Sequence, residues 1–208
     1  GSDTLGFDGG VEEVLRKSPM HPGAHHYRIH LWDGHDPAQA LASAQAYAKA
    51  APGIAHAWHM PGHIYNGVGR WREAVYQQEA SARIDHRHML EHEILPFQIH
   101  NYAHNQHYLI ANISHLGAVE DGVAFSKNLI ETPRDPGNDG AQRLGRASLM
   151  RILVRYERWD EILSGDHLDW GDSREDQAWK EYSRGLAHLG KADRPQASQE
   201  LAALEKLA

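Results

Sequence analysis

The stretch that decides the fold is residues 57–88, AWHMPGHIYNGVGRWREAVYQQEASARIDHRH. Successive residues of an α-helix are rotated by about 100°, which brings Trp58, Gly62 and Tyr65 to one side of a first helix. The glycines within 67–69 end that helix, and the apolar spacing that follows predicts a second one. The stretch therefore predicts a helical hairpin whose first helix packs through this side.

The other side of the same helix carries His56, His59 and His63. Residues three and four apart are neighbours on a helix surface, so these imidazole rings are predicted to share one face. Histidines at this spacing are the arrangement from which helices supply metal ligands. The hairpin thus combines a packing face with a histidine face.

The hairpin resembles the tetratricopeptide repeat, a helix-turn-helix unit of about 34 residues. The family's pattern is matched by Trp58, Gly62, Tyr65 and Ala74. Gln78 stands where the family has an aromatic residue. The resemblance implies an all-α fold, a right-handed α-solenoid in which successive hairpins bury their faces against each other. It implies little about function.

The rest of the chain favours about five hairpins, because no segment shows sustained alternation of apolar and polar residues. We predict a single repeat domain over 1–208 with hairpins at 20–52, 55–88, 100–132, 144–165 and 176–207. A short helix at 9–18 precedes them without a partner. We interpret it as the second helix of an incomplete repeat, and we expect the sequence to be a fragment of a longer protein.

Composition excludes several classes of function. With 208 residues and 41% hydrophobic content, the chain is large and apolar enough to bury a core. A net charge of -7 and the absence of any run of Lys or Arg argue against nucleic-acid binding. No apolar run is long enough to span a bilayer and no stretch resembles a signal peptide, so we expect no membrane partner and assign no compartment.

The chain has no cysteine and 17 histidines. The lack of cysteine excludes disulfides, thiolate nucleophiles and sulfur-ligated metal sites. Any metal ion must therefore be held by nitrogen and oxygen ligands. The histidines concentrate in the first three hairpins, since residues 133–208 contain only His167 and His188.

The repeat spacing aligns histidines from different hairpins. When the first and third hairpins are superimposed on the central one, His25 and His107 take the position of His59, and His104 takes the position of His56. In tetratricopeptide proteins the first helices line a concave groove, so the resemblance implies that these rings converge there.

The first hairpin leaves two alternatives open. The repeat spacing selects His25, but Pro22-Gly23 shifts the possible helix phase by one residue, which is about 100°. His26 and His30 have the spacing of His59 and His63. The residues alone do not decide between His25 and this pair.

A wider resemblance bears on the choice. The strings HPGAHHYRIH (21–30), HAWHMPGHIY (56–65) and HNQHYL (104–109) resemble a family of bacterial tetratricopeptide-like proteins of unestablished biochemistry, in which HPGA..HY.IH, H.PSHIY..GRW and HN.HFL recur. The chain departs from that family at Gly62, where the family has Ser. Carried over to this sequence, the resemblance implies site residues His26, His30, His59, His63, His104 and His107.

Together these patterns predict a metal-binding protein in which imidazoles of the groove hold a divalent transition metal ion. The predicted ligands are His26, His30, His56, His59, His63, His104 and His107. Imidazole without thiolate suits Zn, Cu, Fe or Ni. An open coordination position would let the ion activate water or dioxygen, as in a hydrolase or an oxidoreductase, and no catalytic side chain is assigned.

The alternative belongs to another class. Tetratricopeptide proteins commonly act as adaptors, in which the groove binds a peptide or a partner protein without metal. Elemental analysis of the protein distinguishes the two hypotheses.

Overall fold

A computed structural model describes residues 2–207, apart from the side chains of residues 2–5 and 7. Within the described residues the secondary structure is helical, and the single β-type pairing is an isolated bridge between Asp135 and Asn138. The all-α prediction is therefore confirmed. The chain divides into two compact units, Gly1–Leu116 and Gly117–Ala208.

The first unit contains six α-helices among its described residues. They are α1 (Ser2–Lys17), α2 (Pro22–Trp32), α3 (Leu41–Ala50), α4 (Ala55–Gly67), α5 (Trp71–His92) and α6 (Tyr102–His115). Short 3-10 helices at Pro37–Ala40 and Pro96–Gln98 precede α3 and α6. Each helix packs on the next in the chain, and α2 also packs on α4.

The second unit continues with five α-helices in its described part. They are α7 (Val119–Ile130), α8 (Gly140–Arg155), α9 (Trp159–Ser164), α10 (Arg174–Gly190) and α11 (Arg194–Glu205). Neighbouring helices again pack in chain order, and α8 also packs on α10. Packing of each helix on the next, with added contacts between α2 and α4 and between α8 and α10, is the pattern of stacked helical repeats.

The predicted packing face of α4 lies in the core of the first unit. Gly62 and Tyr65 are buried and Trp58 is half-buried, with its indole N–H donating to the Pro52 carbonyl over 3.0 Å. Tyr65 belongs to an apolar cluster that includes Ile29 of α2 and Ala74 of α5. This cluster fixes α4 between its two neighbours and thereby sets where the histidines of α2 and α4 point.

Two helices extend beyond the ranges given above. The first helix begins at Ser2 rather than near residue 9, and α5 continues past the central hairpin, 55–88, to His92. The range 100–132, predicted as one hairpin, contains the division between the two units at Leu116. Among the described residues, no helix combines the length and the apolar content needed to cross a bilayer.

Candidate metal centre

Six of the seven predicted ligands form two compact groups in the first unit. Trio A consists of His26, His30 and His56, and trio B consists of His59, His63 and His104. In each trio one ring nitrogen from every member lies within 4.8 Å of the others. Trio A joins α2 to α4, and trio B joins α4 to α6, so that α4 contributes to both.

In trio A, His26 is the central ring. Its Nε2 lies 3.0 Å from Nε2 of His30, one helical turn away on α2, and 3.0 Å from Nε2 of His56 on α4. His30 is exposed, whereas His26 and His56 are partly buried. Three nitrogen atoms thus converge from two helices, with one side of the group open to solvent.

In trio B, the buried member is His59, which has no exposed surface. Its Nε2 lies 2.8 Å from Nε2 of His63, one turn away on α4. The ring of His104, on α6, has its centroid 4.8 Å from that of His59 and is exposed. Trio B therefore runs from the protein interior to the surface.

The tautomer of His59 is fixed by Gln78, a fully buried residue of α5. The Gln78 Nε2 donates to the backbone oxygen of His59 over 3.2 Å, which places its Oε1 at 2.7 Å from Nδ1 of His59. A carbonyl oxygen only accepts, so Nδ1 carries the hydrogen. The lone pair of His59 is consequently on Nε2 and faces the centre of trio B.

Asp33, which follows α2, orients His63 in the same way. Its Oδ2 lies 3.0 Å from Nδ1 of His63 and accepts the hydrogen of that nitrogen. The remaining lone pair of His63 is on Nε2, opposite that of His59. A histidine whose second nitrogen donates to a carboxylate or an amide oxygen is the usual arrangement of a metal ligand.

The consequence is an unfavourable contact unless a cation lies between the two rings. Two lone pairs that face each other across 2.8 Å repel, so that either a proton or a metal ion has to bridge His59 and His63. Burial penalises the protonated form of His59. The donor set of trio B can therefore accommodate a metal ion between His59 and His63.

The environment favours the neutral form of His26, His56, His59 and His104, which is the form that ligates metals. Burial, together with repulsion from His63, lowers the pKa of His59 to about 3. Burial, together with repulsion from His26, lowers the pKa of His56 to about 4. The pKa values of His26 and His104 are also lowered, in both cases chiefly by burial.

His25 and His107 lie outside both trios. His25 is buried, with Nδ1 at 3.1 Å from the Ser43 hydroxyl and Nε2 at 2.9 Å from the Pro19 carbonyl, so the protein itself occupies both nitrogens. For the first hairpin, the geometry thus favours the pair His26 and His30 over His25. The role of His107 as a ligand stays a prediction, because no group of three includes it among the described residues.

Two residues that orient the ligands were not among the predicted ones. Gln78 carried a signal, since it replaces the aromatic residue of the repeat pattern with a polar side chain inside the core. Asp33 carried none, because its place beside His63 depends on how α2 packs on α4 rather than on any spacing in the sequence.

Replacing Gly62 by Ala is expected to disturb this arrangement. A methyl group at position 62 would lie 2.9 Å from Cδ and 3.2 Å from Cγ of Gln78, which must then move away from His59. Loss of the buried hydrogen bonds and overpacking together are expected to lower the free energy of unfolding by about 1–3 kcal/mol, measured by urea denaturation. Gly53→Ala, where the methyl group meets nothing within 4 Å, is the matched control. Equal stability of the two variants would contradict the prediction.

Comparison with known proteins gives the fold and no activity. No protein-family model matches the chain. A comparison with curated proteins found no relative. The structure is similar to the crystal structure of YrrB, described as a TPR protein with an unusual peptide-binding site, at 16% sequence identity and a TM-score of 0.58. The similarity covers 95% of this chain and 91% of that one, and at this identity it concerns the fold alone.

Proposed function

We propose, from the premise that the chain has the tetratricopeptide-repeat-like α-solenoid fold, that it binds divalent transition metal ions through trio A and trio B. The observation that carries the proposal is the pair of opposed Nε2 atoms of His59 and His63, 2.8 Å apart. Gln78 and Asp33 fix the lone pairs toward each other, and a metal ion relieves their repulsion while gaining both as ligands.

The donor set defines the class of ion. Each trio supplies three imidazole nitrogens, and the chain has no cysteine to compete with them. Such sites suit Zn, Cu, Fe or Ni rather than Mg or Ca, which prefer oxygen ligands. Three protein ligands leave a coordination position open, which is the arrangement of a metal that activates water or another small molecule.

The experiment is elemental analysis of untagged protein followed by titration with Zn²⁺, Cu²⁺, Fe²⁺ and Ni²⁺ at pH 7.5. We expect at least one equivalent of one ion to bind tightly, since neutral imidazoles predominate at that pH. His35→Ala and His86→Ala, which remove exposed histidines outside both trios, are controls that should retain the same stoichiometry. Less than about a tenth of an equivalent of any ion, together with no binding on titration, would contradict the proposal.

The second candidate function is that of an adaptor that binds a peptide or a partner protein without metal. It is favoured by the similarity to YrrB, a TPR protein described as having a peptide-binding site. A metal-free protein that does not bind ions on titration would favour this candidate. The histidine trios would then be polar groups of the binding surface.

A further inference from the structure

We infer that trio A and trio B hold two metal ions as one coupled dinuclear centre, in which the carboxylate of Asp33 serves both ions. This inference rests on the proposed function, because it presupposes that each trio binds an ion. It adds that the two sites do not act independently.

The first argument is the closeness of the trios. His56 of trio A and His59 of trio B are three residues apart on α4, and their ring centroids lie 5.9 Å apart with the ring planes inclined by 24°. Neighbouring rings on one rigid helix hold their relative positions. Two ions bound on either side of this pair are therefore near enough to influence each other through charge.

The second argument is the position of Asp33. Its carboxylate accepts from His63 of trio B over 3.0 Å, and the residue itself follows His30 of trio A by three positions, at the C-terminal end of α2. One carboxylate thus contacts trio B and belongs to the end of the helix that carries His26 and His30, and its negative charge offsets part of the charge that two divalent ions bring.

The third argument is an unsatisfied nitrogen of His56. Its Nε2 faces His26, whereas its Nδ1 is buried and has no hydrogen-bond partner. Buried polar nitrogens are almost always paired in folded proteins. An ion or its water ligand between the trios would supply the missing partner.

The test uses Cu²⁺ as the probe, because its unpaired electron reports on a second nearby copper ion. Wild-type protein is loaded with one and then two equivalents and compared with His30→Ala and His104→Ala, each of which removes an exposed member of one trio. We expect the electron paramagnetic resonance spectrum at two equivalents to be broadened or reduced in intensity by interaction between the ions. A spectrum equal to the sum of the two single-site variants would overturn the inference.

Asp33→Asn supplies a second readout, with Asp36→Asn, an exposed carboxylate in the same loop, as the matched control. If Asp33 serves both ions, the amide should weaken Cu²⁺ binding about 10-fold or more at each site, measured in the His30→Ala and His104→Ala backgrounds. Weakening confined to trio B would reduce Asp33 to an orienting group for His63 and overturn the inference, while the proposed function stands. Absence of Cu²⁺ binding in the wild-type protein would overturn both.

Discussion

Exchanging His26 and His63 together for alanine is expected to lower the bound metal to about a tenth or less of the wild-type content while the helix content stays unchanged. His26 is the central ring of trio A, 3.0 Å from both other members, and His63 provides the nitrogen opposed to His59 in trio B. Loss of an orienting residue alone typically weakens metal binding 10- to 100-fold, and loss of a ligand costs more.

The choice of these two positions separates binding from folding. Both rings are only partly buried, so their removal leaves smaller cavities than removal of the fully buried His59 would. Metal content is measured by elemental analysis after equilibration with a limiting chelator, and helix content by far-ultraviolet circular dichroism. The paired variant His35→Ala with His86→Ala removes the same number of histidines from exposed positions. Equal metal content in the two double variants would exclude trio A and trio B as the binding sites.

The sequence was sufficient to predict the repeat fold because the turns are encoded locally. Pro22 and Pro195 lie in the first turns of α2 and α11, where a missing N–H costs nothing. The glycines after α4 end that helix as expected. These signals need no knowledge of tertiary packing, which explains why the order of the helices was correct.

Two helix ends lack such local signals. The first helix contains Gly6, Gly9 and Gly10, residues that disfavour helix, and it nevertheless extends across all three. The other end is that of α5, where Glu93 takes a left-handed conformation with φ of 53°. Glycine is the usual residue there, so nothing in the sequence marked the end of α5.

The sequence predicts which histidines are neighbours within one helix better than it predicts which histidines of different helices come together. Spacing along α4 was enough to place His59 beside His63, and spacing along α2 was enough to pair His26 with His30. The repeat offset instead selected His25, which the phase of α2, begun at Pro22, turns toward Ser43. Transferring positions from one hairpin to another by the repeat length assumes that every first helix begins at the same point of the repeat. A helix that begins at a proline, or that follows an irregular segment, does not meet this condition.

Acidification of the metal-free protein from pH 6.5 to pH 4 is expected to lower its free energy of unfolding by about 3 kcal/mol through His59 alone. The folded protein holds the pKa of this ring at about 3, because burial penalises the charged form, whereas an unfolded chain has the ordinary value of 6.5. Between these two values the unfolded state binds a proton that the folded state does not. Stability therefore falls as the pH decreases through this window, and it is independent of this group above pH 6.5.

The measurement is urea denaturation in the presence of a chelator at pH 7.5, 6.5, 5 and 4. His59→Asn removes the titrating ring while keeping a polar side chain beside Gln78, so this variant is less stable at pH 7.5 and its stability changes less with pH. His86→Ala, which removes an exposed ring, is expected to keep the pH dependence of the wild type. The quantity compared is the change in the free energy of unfolding with pH, not its value at any one pH. The packing that the substitution disturbs lowers stability at every pH, so this comparison separates it from the titration of His59. Parallel curves for His59→Asn and the wild type would show that His59 has the same pKa in the folded and the unfolded protein, which would contradict the prediction.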